Sequence, residues 1–573
     1  MKAFADLYRK LDAATSTRSK QAALVDYFSQ ACAEPASWSS AAWAAYFLAG
    51  GKPRQVVSTR LLRRLAIEGG EVPEWLFDEC YQSVGDLAET LTLLLPDYHP
   101  GEPLSLADWM RSRLLPMRSL GDDEKFARLR SWSREIGSDE CFVLFKLITG
   151  GLRVGVSRLQ IVKALAYVAQ VDEAQMAQRM MGYAATGRIL EAKDFAALIG
   201  EVGGIEAQAL EQGRPYPFCL AQSWQRPLDE MPAVLGESRH WQVEWKFDGI
   251  RAQLIRRAPG WRLWSRGEDL ISESYPEFGA LAEALPFGVA LDGEIVVTRA
   301  GDSAAIMDIA VIAPFASLQQ RLGRKTISEK TRQELPVAFI AYDALEWEGI
   351  DIRARPQRDR RALLETIVAA ALDHEPAAPL ILSPLVIGAD WSALAAERER
   401  ARSLGFEGLM LKAREGVYGV GRRKGSDRTD VWWKWKLDPM SIDAVLIYAQ
   451  RGHGRRSGLY SDYTFAVWSD QEGAPQRTLV AFAKAYSGLT DAEMRAVDAI
   501  VRRTTLETFG PVSSVTPTLV FELGFEGIGA SRRHKSGIAV RFPRMLRWRR
   551  DKPVAEADTL GQLRALLPVH ADG

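Results

Sequence analysis

Hydrophobic and polar positions change their periodicity twice along the 573-residue chain. Up to about residue 205, apolar residues recur at i, i+3 and i+4, as in "WLFDECYQSVGDLAETLTLLL" and "RLQIVKALAYVAQ", and this spacing predicts helices. Prolines then cluster in "GRPYPFCLAQSWQRPLDEMP", which predicts a domain boundary. Beyond it, short alternating segments are separated by helical stretches such as "RRALLETIVAAALD", and this order predicts a mixed α/β domain.

The second change follows Pro439. From "SIDAVLIYAQRG" onward, predicted strands are frequent and punctuated by glycine, including "YTFAVW", "TLVAFAKAYS", "TLVFELGF" and "GIAVRFPRM". Such spacing is typical of a small β-barrel. We therefore expect three domains: an all-helical domain over residues 1–210, an α/β domain over 211–438 and a β-barrel over 439–573.

Three predicted strands of the central domain share an apolar side and a charged side. In "WQVEWKFDG", alternation places Glu244, Lys246 and Asp248 together, opposite three apolar side chains. "VALDGEIVV" does the same with Asp292 and Glu294, and "VWWKWK" does so with Lys434 and Lys436. A sheet with one face in solvent would show this pattern too. Taken together, however, the charged sides offer an amine, carboxylates and cations for one site.

Bulk properties limit the classes of protein that remain. Lys and Arg number 73 and Asp and Glu also number 73, so attraction to nucleic acid must come from local patches. The start "MKAFADLYRKLDAATST" lacks the apolar core of a signal peptide, and no membrane span is apparent. The four cysteines are far apart without a CxxC motif, which favours four buried thiols in a reducing cytoplasm.

The charged sides have the groups that nucleotidyl transfer needs. A lysine amine that attacks phosphorus must be neutral, and burial together with neighbouring cations favours the neutral form. Lys412, Lys434, Lys436 and a bound Mg²⁺ would supply this positive field around Lys246. Glu294 and Glu407 are the candidate oxygen ligands for the metal, a site type that also accepts Mn²⁺.

At this point the chain resembles the bacterial ATP-dependent DNA ligases. The resemblance rests on an ordered series of motifs that extends over nearly the whole chain: "EWKFDGIR", "SRGEDL", "LDGEIV", "FIAYDAL", "GFEGLMLK", "WWKWK" and "RFPRMLRWRRDK". It implies a helical DNA-binding domain, an α/β nucleotidyltransferase domain and a C-terminal OB-fold. It also implies that Lys246 takes AMP from ATP, passes it to the 5′-phosphate of a nick in duplex DNA, and that the 3′-hydroxyl then displaces AMP.

The resemblance also implies roles for further residues. Glu244 would contact the adenine and Tyr342 would stack on it, in a place where many relatives have phenylalanine. Arg251 and Arg266 would bind the ribose and nearby phosphates, while Asp248 and Gly249 would shape the turn after the nucleophile. The α-phosphate region would be held by Lys412, Lys434, Lys436 and Arg428. The choice of Arg428 over Arg422 or Arg423 rests on spacing alone.

Two basic regions are candidates for contact with DNA. "LFKLITGGLRVGVS", with Arg153 and Arg158, resembles part of the DNA-binding domain of larger ligases, although a plain helix–helix corner would also explain it. Residues 531–552 hold nine Lys or Arg against one Asp, including Arg541 and Arg544. Interleaved Phe542, Met545, Leu546 and Trp548 predict that this segment packs. At its end, Arg549, Asp551 and Lys552 would orient pyrophosphate in the first step.

Other enzymes on the same scaffold are alternatives. An mRNA capping guanylyltransferase or an RNA ligase is disfavoured by the long helical N-terminal region and by "RRDK". An NAD-dependent ligase is disfavoured by the absence of zinc-type cysteines, and His453 and His534 have no second ligand at metal spacing. A silent DNA-binding protein is disfavoured because the charged motif positions remain. We expect a monomer that acts on nicked double-stranded DNA in the cytoplasm, at the nucleoid.

Overall fold

The helical periodicity of the first 200 residues corresponds to helices in the computed structural model. Their N-terminal caps follow from the sequence, since Ser16, Ser58 and Asp86 each accept a hydrogen bond from the third residue of the helix that follows. The helices are α1 (Lys2–Ala13), α2 (Thr17–Ala33), α3 (Trp38–Leu48), α4 (Thr59–Gly69), α5 (Glu74–Val84), α6 (Leu87–Leu94), α7 (Leu106–Asp108), α8 (Asp122–Ser133), α9 (Ser138–Thr149), α10 (Arg158–Ala169), α11 (Glu173–Arg179) and α12 (Ala192–Ile199).

The structure describes most of the chain. The described residues are 1–53, 55–96, 103–152, 154–184, 187–200, 213–258, 260–299, 311–322, 327–420, 432–452, 458–469 and 477–567. They form two compact units. The first comprises Met1–Val57, Gly101–Gly121 and Lys146–Leu437, and the second comprises Ser58–Pro100, Asp122–Phe145 and Asp438–Gly573.

The central region contains two sheets whose strands match the alternating segments. The strands are β1 (Gln222–Ser223), β2 (Trp241–Trp245), β3 (Ile250–Arg257), β4 (Gly260–Ser265), β5 (Val289–Val297), β6 (Val337–Trp347), β7 (Ile350–Asp351), β8 (Leu380–Leu382), β9 (Gly408–Ala413) and β10 (Trp433–Lys436). The first sheet has the order β1-β10-β9-β2, and the second has the order β4-β3-β5-β6-β7 with β8 paired to β6.

Helices cover the apolar sides of these sheets, and the predicted α/β character of the region is confirmed. Val243, Trp245 and Phe247 belong to a core shared with both sheets and with helix 391–404, as alternation predicted. A second core packs between the six-stranded sheet and helices 278–284 and 357–374. The helices are α13 (Met231–Leu235), α14 (Phe278–Ala284), α15 (Phe315–Gln319), α16 (Glu329–Glu334), α17 (Gln357–His374) and α18 (Trp391–Leu404).

The C-terminal region is rich in strands, as predicted, but its main sheet is open rather than closed into a barrel. Its order is β13-β12-β11-β15-β14, with β16 paired to β11 and β19, and β17 and β18 form a separate pair. No pairing among the described strands closes the sheet. The elements are β11 (Met440–Arg451), β12 (Tyr460–Trp468), β13 (Leu479–Ala485), α19 (Asp491–Thr504), β14 (Thr505–Phe509), β15 (Val512–Val515), β16 (Val520–Phe525), β17 (Gly527–Ala530), β18 (Ile538–Arg541), β19 (Arg544–Trp548) and α20 (Leu560–Ala565).

Two smaller expectations can be compared directly with the structure. All four cysteines are free, but only Cys141 and Cys219 are buried, whereas Cys32 and Cys80 are partly exposed. The prediction of four buried thiols was therefore wrong for two of them. In the part of the chain that the structure describes, no helix is both long enough and apolar enough to cross a membrane.

Candidate nucleotide site

A cavity of about 770 Å³ is lined by residues of both central sheets. This volume lies in the range of about 300–1,000 Å³ that is typical of small-molecule sites. The structure brings together on its wall ten of the residues selected from the sequence for the nucleotide and the metal, which are Glu244, Lys246, Arg251, Arg266, Glu294, Tyr342, Glu407, Lys412, Lys434 and Lys436. The charged sides of the predicted strands thus face a cavity.

Lys246 follows directly after β2, where the chain remains paired to its neighbour. Its backbone nitrogen donates to the Gly408 carbonyl at 2.8 Å, and its carbonyl accepts from the Glu407 nitrogen at 2.8 Å. Its amine lies 2.7 Å from Glu407 Oε2, which Lys436 Nζ also approaches to 3.1 Å. Burial opposes ionisation of Glu407, but the two cations outweigh it and hold its pKa below the ordinary value. Two amines therefore share one carboxylate.

Asp248 and Gly249 lie in the turn between Lys246 and β3, and Asp248 is not among the residues that line the cavity. A Cβ at Gly249 would collide with the Ile295 carbonyl and lie 2.7 Å from Glu294 Cγ. Glycine is therefore required here for the close approach to β5.

The Glu294 carboxylate, unlike the Glu294 backbone, makes no hydrogen bond with the residues that the structure describes. Burial raises its pKa to about 7, against the attraction of Lys246 and Arg251. A carboxylate that is desolvated and not hydrogen-bonded gains from a cation, so Glu294 fits the oxygen ligands that Mg²⁺ prefers. Glu407 also offers carboxylate oxygens, although one of them is already paired with Lys246 and Lys436. Within the described ranges no group of three or more His, Cys, Asp or Glu side chains could hold a metal. Phosphate oxygens and water would therefore complete the coordination.

Glu244 and Lys412 form a buried ion pair at the cavity wall. Each is 1% exposed, and Lys412 Nζ lies 2.7 Å from Glu244 Oε2. Lys412 Nζ also donates to the Tyr342 carbonyl at 2.8 Å and lies 4.6 Å and 4.4 Å from the rings of Tyr342 and Trp432. The amine of Lys412, which was predicted to hold the α-phosphate, is thus bound by Glu244 and Tyr342, the two residues that were predicted to contact the base.

Arg251 lines the cavity and forms hydrogen bonds with three groups of the protein. It forms two hydrogen bonds with Asp292, at 3.1 and 2.7 Å, and donates to the Cys219 carbonyl at 2.5 Å and to the Tyr418 hydroxyl at 3.2 Å. Tyr418 in turn donates to Asp292 at 2.6 Å. The hydroxyl of Tyr342 donates to Asp292 Oδ1 at 3.4 Å. This network fixes Arg251 at the cavity wall.

Arg158, which the sequence suggested for DNA contact, lines the same cavity. It pairs with Glu268 of the "SRGEDL" turn and donates to the Met180 carbonyl at 2.7 Å. Glu268 also accepts a hydrogen bond from the Gly182 nitrogen at 3.2 Å. Two other selected residues, Arg153 and Arg428, lie outside the described residues, as do Arg422, Arg423 and His453.

The selected residues of the C-terminal region lie in the second unit and are largely paired there. Arg549 and Lys552 contact Asp443 Oδ2 at 2.7 and 2.8 Å, and Arg549 also pairs with Asp551 at 2.8 Å. The pairing with Arg549 lowers the pKa of Asp551 to about 2.

The basic segment that carries these residues packs only in part. Arg544 lies 3.6 Å from Glu526, and the Arg541 guanidinium lies 5.7 Å from the Phe542 ring. Met545 is buried as expected, but Phe542 is 64% exposed, so the prediction that it packs was wrong.

Several residues of the site were not selected from the sequence. Trp432 was within reach, because it alternates with Lys434 and Lys436 and therefore faces the cavity with them. Gln242 and Asp292 share the faces that alternation predicts, and Glu268 and Met410 lie within the quoted motifs, but no role was assigned to any of the four. Arg361 and Tyr418 occupy separate segments without a recognisable pattern, and only folding brings them to the motif residues.

Comparison with protein families matches three models in order along the chain. They are described as DNA ligase N terminus (residues 1–166), ATP dependent DNA ligase domain (219–436) and ATP dependent DNA ligase C terminal region (456–552). The middle match contains most of the residues that line the cavity and defines an enzyme of the nucleotidyltransferase class. More specifically, the chain belongs to the ATP-dependent DNA ligase family, whose activity uses ATP and acts on DNA.

Individual relatives agree with this assignment. A probable DNA ligase of Koribacter versatilis is 32% identical over 576 residues, which is 96% of this chain and 93% of the relative. A probable DNA ligase of Anaeromyxobacter sp. strain Fw109-5 is 32% identical and covers 79% of this chain and 81% of its own length. The solved structure "Pmar-Lig_Pre." covers 96% of this chain and 99% of its own, with a TM-score of 0.58 and 14% identity, and so supports the fold.

Proposed function

We propose that this ATP-dependent DNA ligase forms its covalent intermediate on Lys246. The observation that carries the proposal is the position of the Lys246 amine in a nucleotide-sized cavity, 2.7 Å from Glu407 and on the same wall as Glu294, Lys434 and Lys436. In the first step a nitrogen–phosphorus bond forms to the α-phosphorus of ATP, and the bond to pyrophosphate breaks. AMP then passes to the 5′-phosphate of a nick, and the 3′-hydroxyl displaces it.

The remaining assignments come from the resemblance to the family, and the positions of most of these residues on the cavity wall support them. Glu244 and Tyr342 contact the adenine, and Arg266, exposed at the cavity, contacts phosphate or ribose. Lys434 and Lys436 stabilise charge on the α-phosphate, where preorganised cations act most strongly. Arg251 orients the site through Asp292 and Tyr418, and Arg428 retains its assignment from sequence. Asp248 shapes the turn that presents Lys246.

Mg²⁺ or Mn²⁺ would be held by Glu294 and Glu407. When bound, such an ion neutralises negative charge on the phosphates. The residues of this chain then have separate tasks. Lys246 attacks, the other lysines stabilise the transferring group, and the buried pairs around Glu244 and Arg251 keep the wall rigid.

The DNA-facing part of the proposal involves all three predicted domains, 1–210, 211–438 and 439–573. We assign contact with nicked duplex DNA to Arg153, Arg158, Arg541 and Arg544, and contact with pyrophosphate to Arg549, Asp551 and Lys552. The C-terminal region is proposed to be an OB-fold, supported by its strand content and its match to the C-terminal family model. We expect a monomeric enzyme that acts at the nucleoid.

The test is covalent labelling of the protein with α-labelled ATP and Mg²⁺, followed by a denaturing gel and a chase with nicked DNA. Wild-type protein should carry a label that disappears as the nick is sealed. Lys246→Ala should lose the label and retain binding to nicked DNA. The matched control is Lys330→Ala, because Lys330 is exposed on α16 and pairs only weakly with Glu334, at 3.7 Å. A label retained in Lys246→Ala would refute the proposal.

A further inference from the structure

The carboxylate of Glu244 is held by three side chains. Gln242 Nε2 donates to Glu244 Oε1 at 2.6 Å, and Arg361 Nη1 approaches the same oxygen to 3.4 Å. Lys412 Nζ lies 2.7 Å from the other oxygen, Oε2. A carboxylate oxygen accepts about two hydrogen bonds. Oε1 is therefore filled from within the protein, whereas Oε2 keeps one position for another donor.

Gln242 and Arg361 reach the site only through Glu244. Gln242 lies two residues earlier on β2, so its side chain shares the face of Glu244, and it is 4% exposed. Arg361, on α17, is itself fixed by the Ser383 carbonyl at 2.8 Å and by Glu365 at 2.7 Å. Neither residue is among those that line the cavity. Both residues therefore hold Glu244, which lines the cavity, from outside the cavity wall.

A carboxylate fixed in this way distinguishes two kinds of purine. The amino group at position six of adenine donates a hydrogen bond to a remaining acceptor position. A carbonyl at that position, as in hypoxanthine, would oppose the carboxylate with a second acceptor. A site built to pair with a donor rejects the analogue that lacks it, because the buried acceptor is left unpaired. A carboxylate free to turn would lose this discrimination.

We infer that Gln242 and Arg361 are positioning residues that fix Glu244 so that the cavity selects 6-aminopurine over 6-oxopurine nucleotides. This inference rests on the proposed function, which assigns Glu244 to the base. The discrimination belongs to the nucleotide-binding step, so it should change the relative specificity constants of two nucleotides. A purely structural role would lower labelling with both nucleotides equally.

The experiment compares covalent labelling of the full chain by α-labelled ATP and by α-labelled ITP, which carries a carbonyl at position six. Gln242→Met keeps the side-chain length and removes the donor. The ratio of the specificity constants, ATP over ITP, should fall about tenfold, the equivalent of one hydrogen bond to a charged group. The second variant, Arg361→Lys, keeps the positive charge but loses the planar guanidinium group with its several donors. Its ratio of specificity constants, ATP over ITP, should also fall.

The matched control is Gln253→Met. Gln253 is also a fully buried strand glutamine, but it exchanges hydrogen bonds with the Tyr216 backbone at 2.7 and 2.9 Å rather than with Glu244. Its ratio should equal that of the wild type even where stability falls. An unchanged ratio in Gln242→Met and Arg361→Lys would overturn the inference.

A third variant separates this failure from failure of the proposed function. In Glu244→Gln the amide can donate to a carbonyl, so the ATP-over-ITP ratio should fall further than in Gln242→Met. If that ratio is unchanged, Glu244 does not contact the base, and the assignment under the proposed function is wrong. If it falls while Gln242→Met and Arg361→Lys match the wild type, the inference alone is wrong.

Discussion

Arg158 shows how the meaning of one residue depends on its partner. In the sequence it is a cation beside a glycine turn, and such residues often contact phosphate. In the structure it pairs with Glu268, 110 residues away, at the wall of the nucleotide cavity. A DNA role for Arg158 would therefore require this pair to open. Lys412 is a similar case, because its amine is enclosed by Glu244, Tyr342 and Trp432.

At the scale of a single residue, we predict that Phe542 contributes to DNA binding. It is 64% exposed, has a φ of 52° and is flanked by Arg541 and, after Pro543, Arg544. A bulky residue held in this conformation and exposed among cations suits insertion against nucleic acid. Phe542→Ala should weaken binding to nicked duplex DNA about tenfold, as loss of one aromatic contact does, while ATP labelling stays unchanged. A gel-shift titration at fixed salt measures the affinity.

The control for this prediction is Phe509→Ala. Phe509 is comparably exposed, at 58%, but lies on the edge strand β14, outside the basic segment. Equal losses of DNA affinity in the two variants would argue against a specific role for Phe542.

At the scale of elements, α19 was not predicted, yet its start is well defined. Thr490 and Glu493 form a capping box, in which the Glu493 nitrogen donates to Thr490 Oγ1 at 3.3 Å and the Thr490 nitrogen donates to the Glu493 carboxylate at 2.9 Å. Thr490 Oγ1 also donates to this carboxylate at 2.7 Å. These bonds hold the pKa of Glu493 below its ordinary value of 4.5. A depressed folded-state pKa adds stability above pH 4.5, and this stability is lost as the pH falls through the folded-state pKa.

Thr490→Ala should therefore destabilise α19 by about 1 kcal/mol at neutral pH, and by less in acid, where Glu493 is protonated. Amide hydrogen exchange of peptides from 491–504 measures the change. The control is Thr559→Ala at α20, whose capping box contains the neutral Gln562. The destabilisation by Thr559→Ala should not depend on pH, because the capping box at Thr559 contains no titrating side chain. If both variants show the same pH dependence, titration of Glu493 is not its cause.

At the scale of the whole molecule, the first and last steps of ligation should separate by mutation. Arg549→Ala or Lys552→Ala should slow labelling by ATP roughly a hundredfold, as loss of one charge-stabilising donor does. Sealing of a pre-adenylated nick should stay near the wild-type rate, because no pyrophosphate takes part in it. The comparison of the two rates in each variant is the measurement.

Asp443→Asn is the matched control for these variants. Asp443 lies between Arg549 and Lys552, so the substitution disturbs the same ion pairs but keeps both cations. Asp443→Asn should lower the stability of the protein but slow labelling by ATP less than either alanine variant does. Equal loss of both steps in Arg549→Ala and Lys552→Ala would mean that these residues serve mainly to bind DNA.

Local pattern was enough to predict most of the longer strands of both β-containing regions and the apolar sides of the central sheets. It also predicted five of the charged residues that line the cavity, Glu244, Lys246, Glu294, Lys434 and Lys436. Alternation with a period of two is a property of neighbouring residues, so it can be read without knowledge of the fold. Ordered motifs likewise indicated the family, which the comparisons confirm.

The partners of the buried charged side chains could not be predicted from local pattern. Arg251 and Asp292 are 41 residues apart, Tyr418 and Asp292 are 126 apart, and Arg361 and Glu244 are 117 apart. Burial makes each of these charges require a specific partner, but the partner is chosen by the packing of distant segments. The open C-terminal sheet, the exposure of Phe542 and the enclosure of Lys412 depend on such long-range packing, and the three-dimensional fold alone established them.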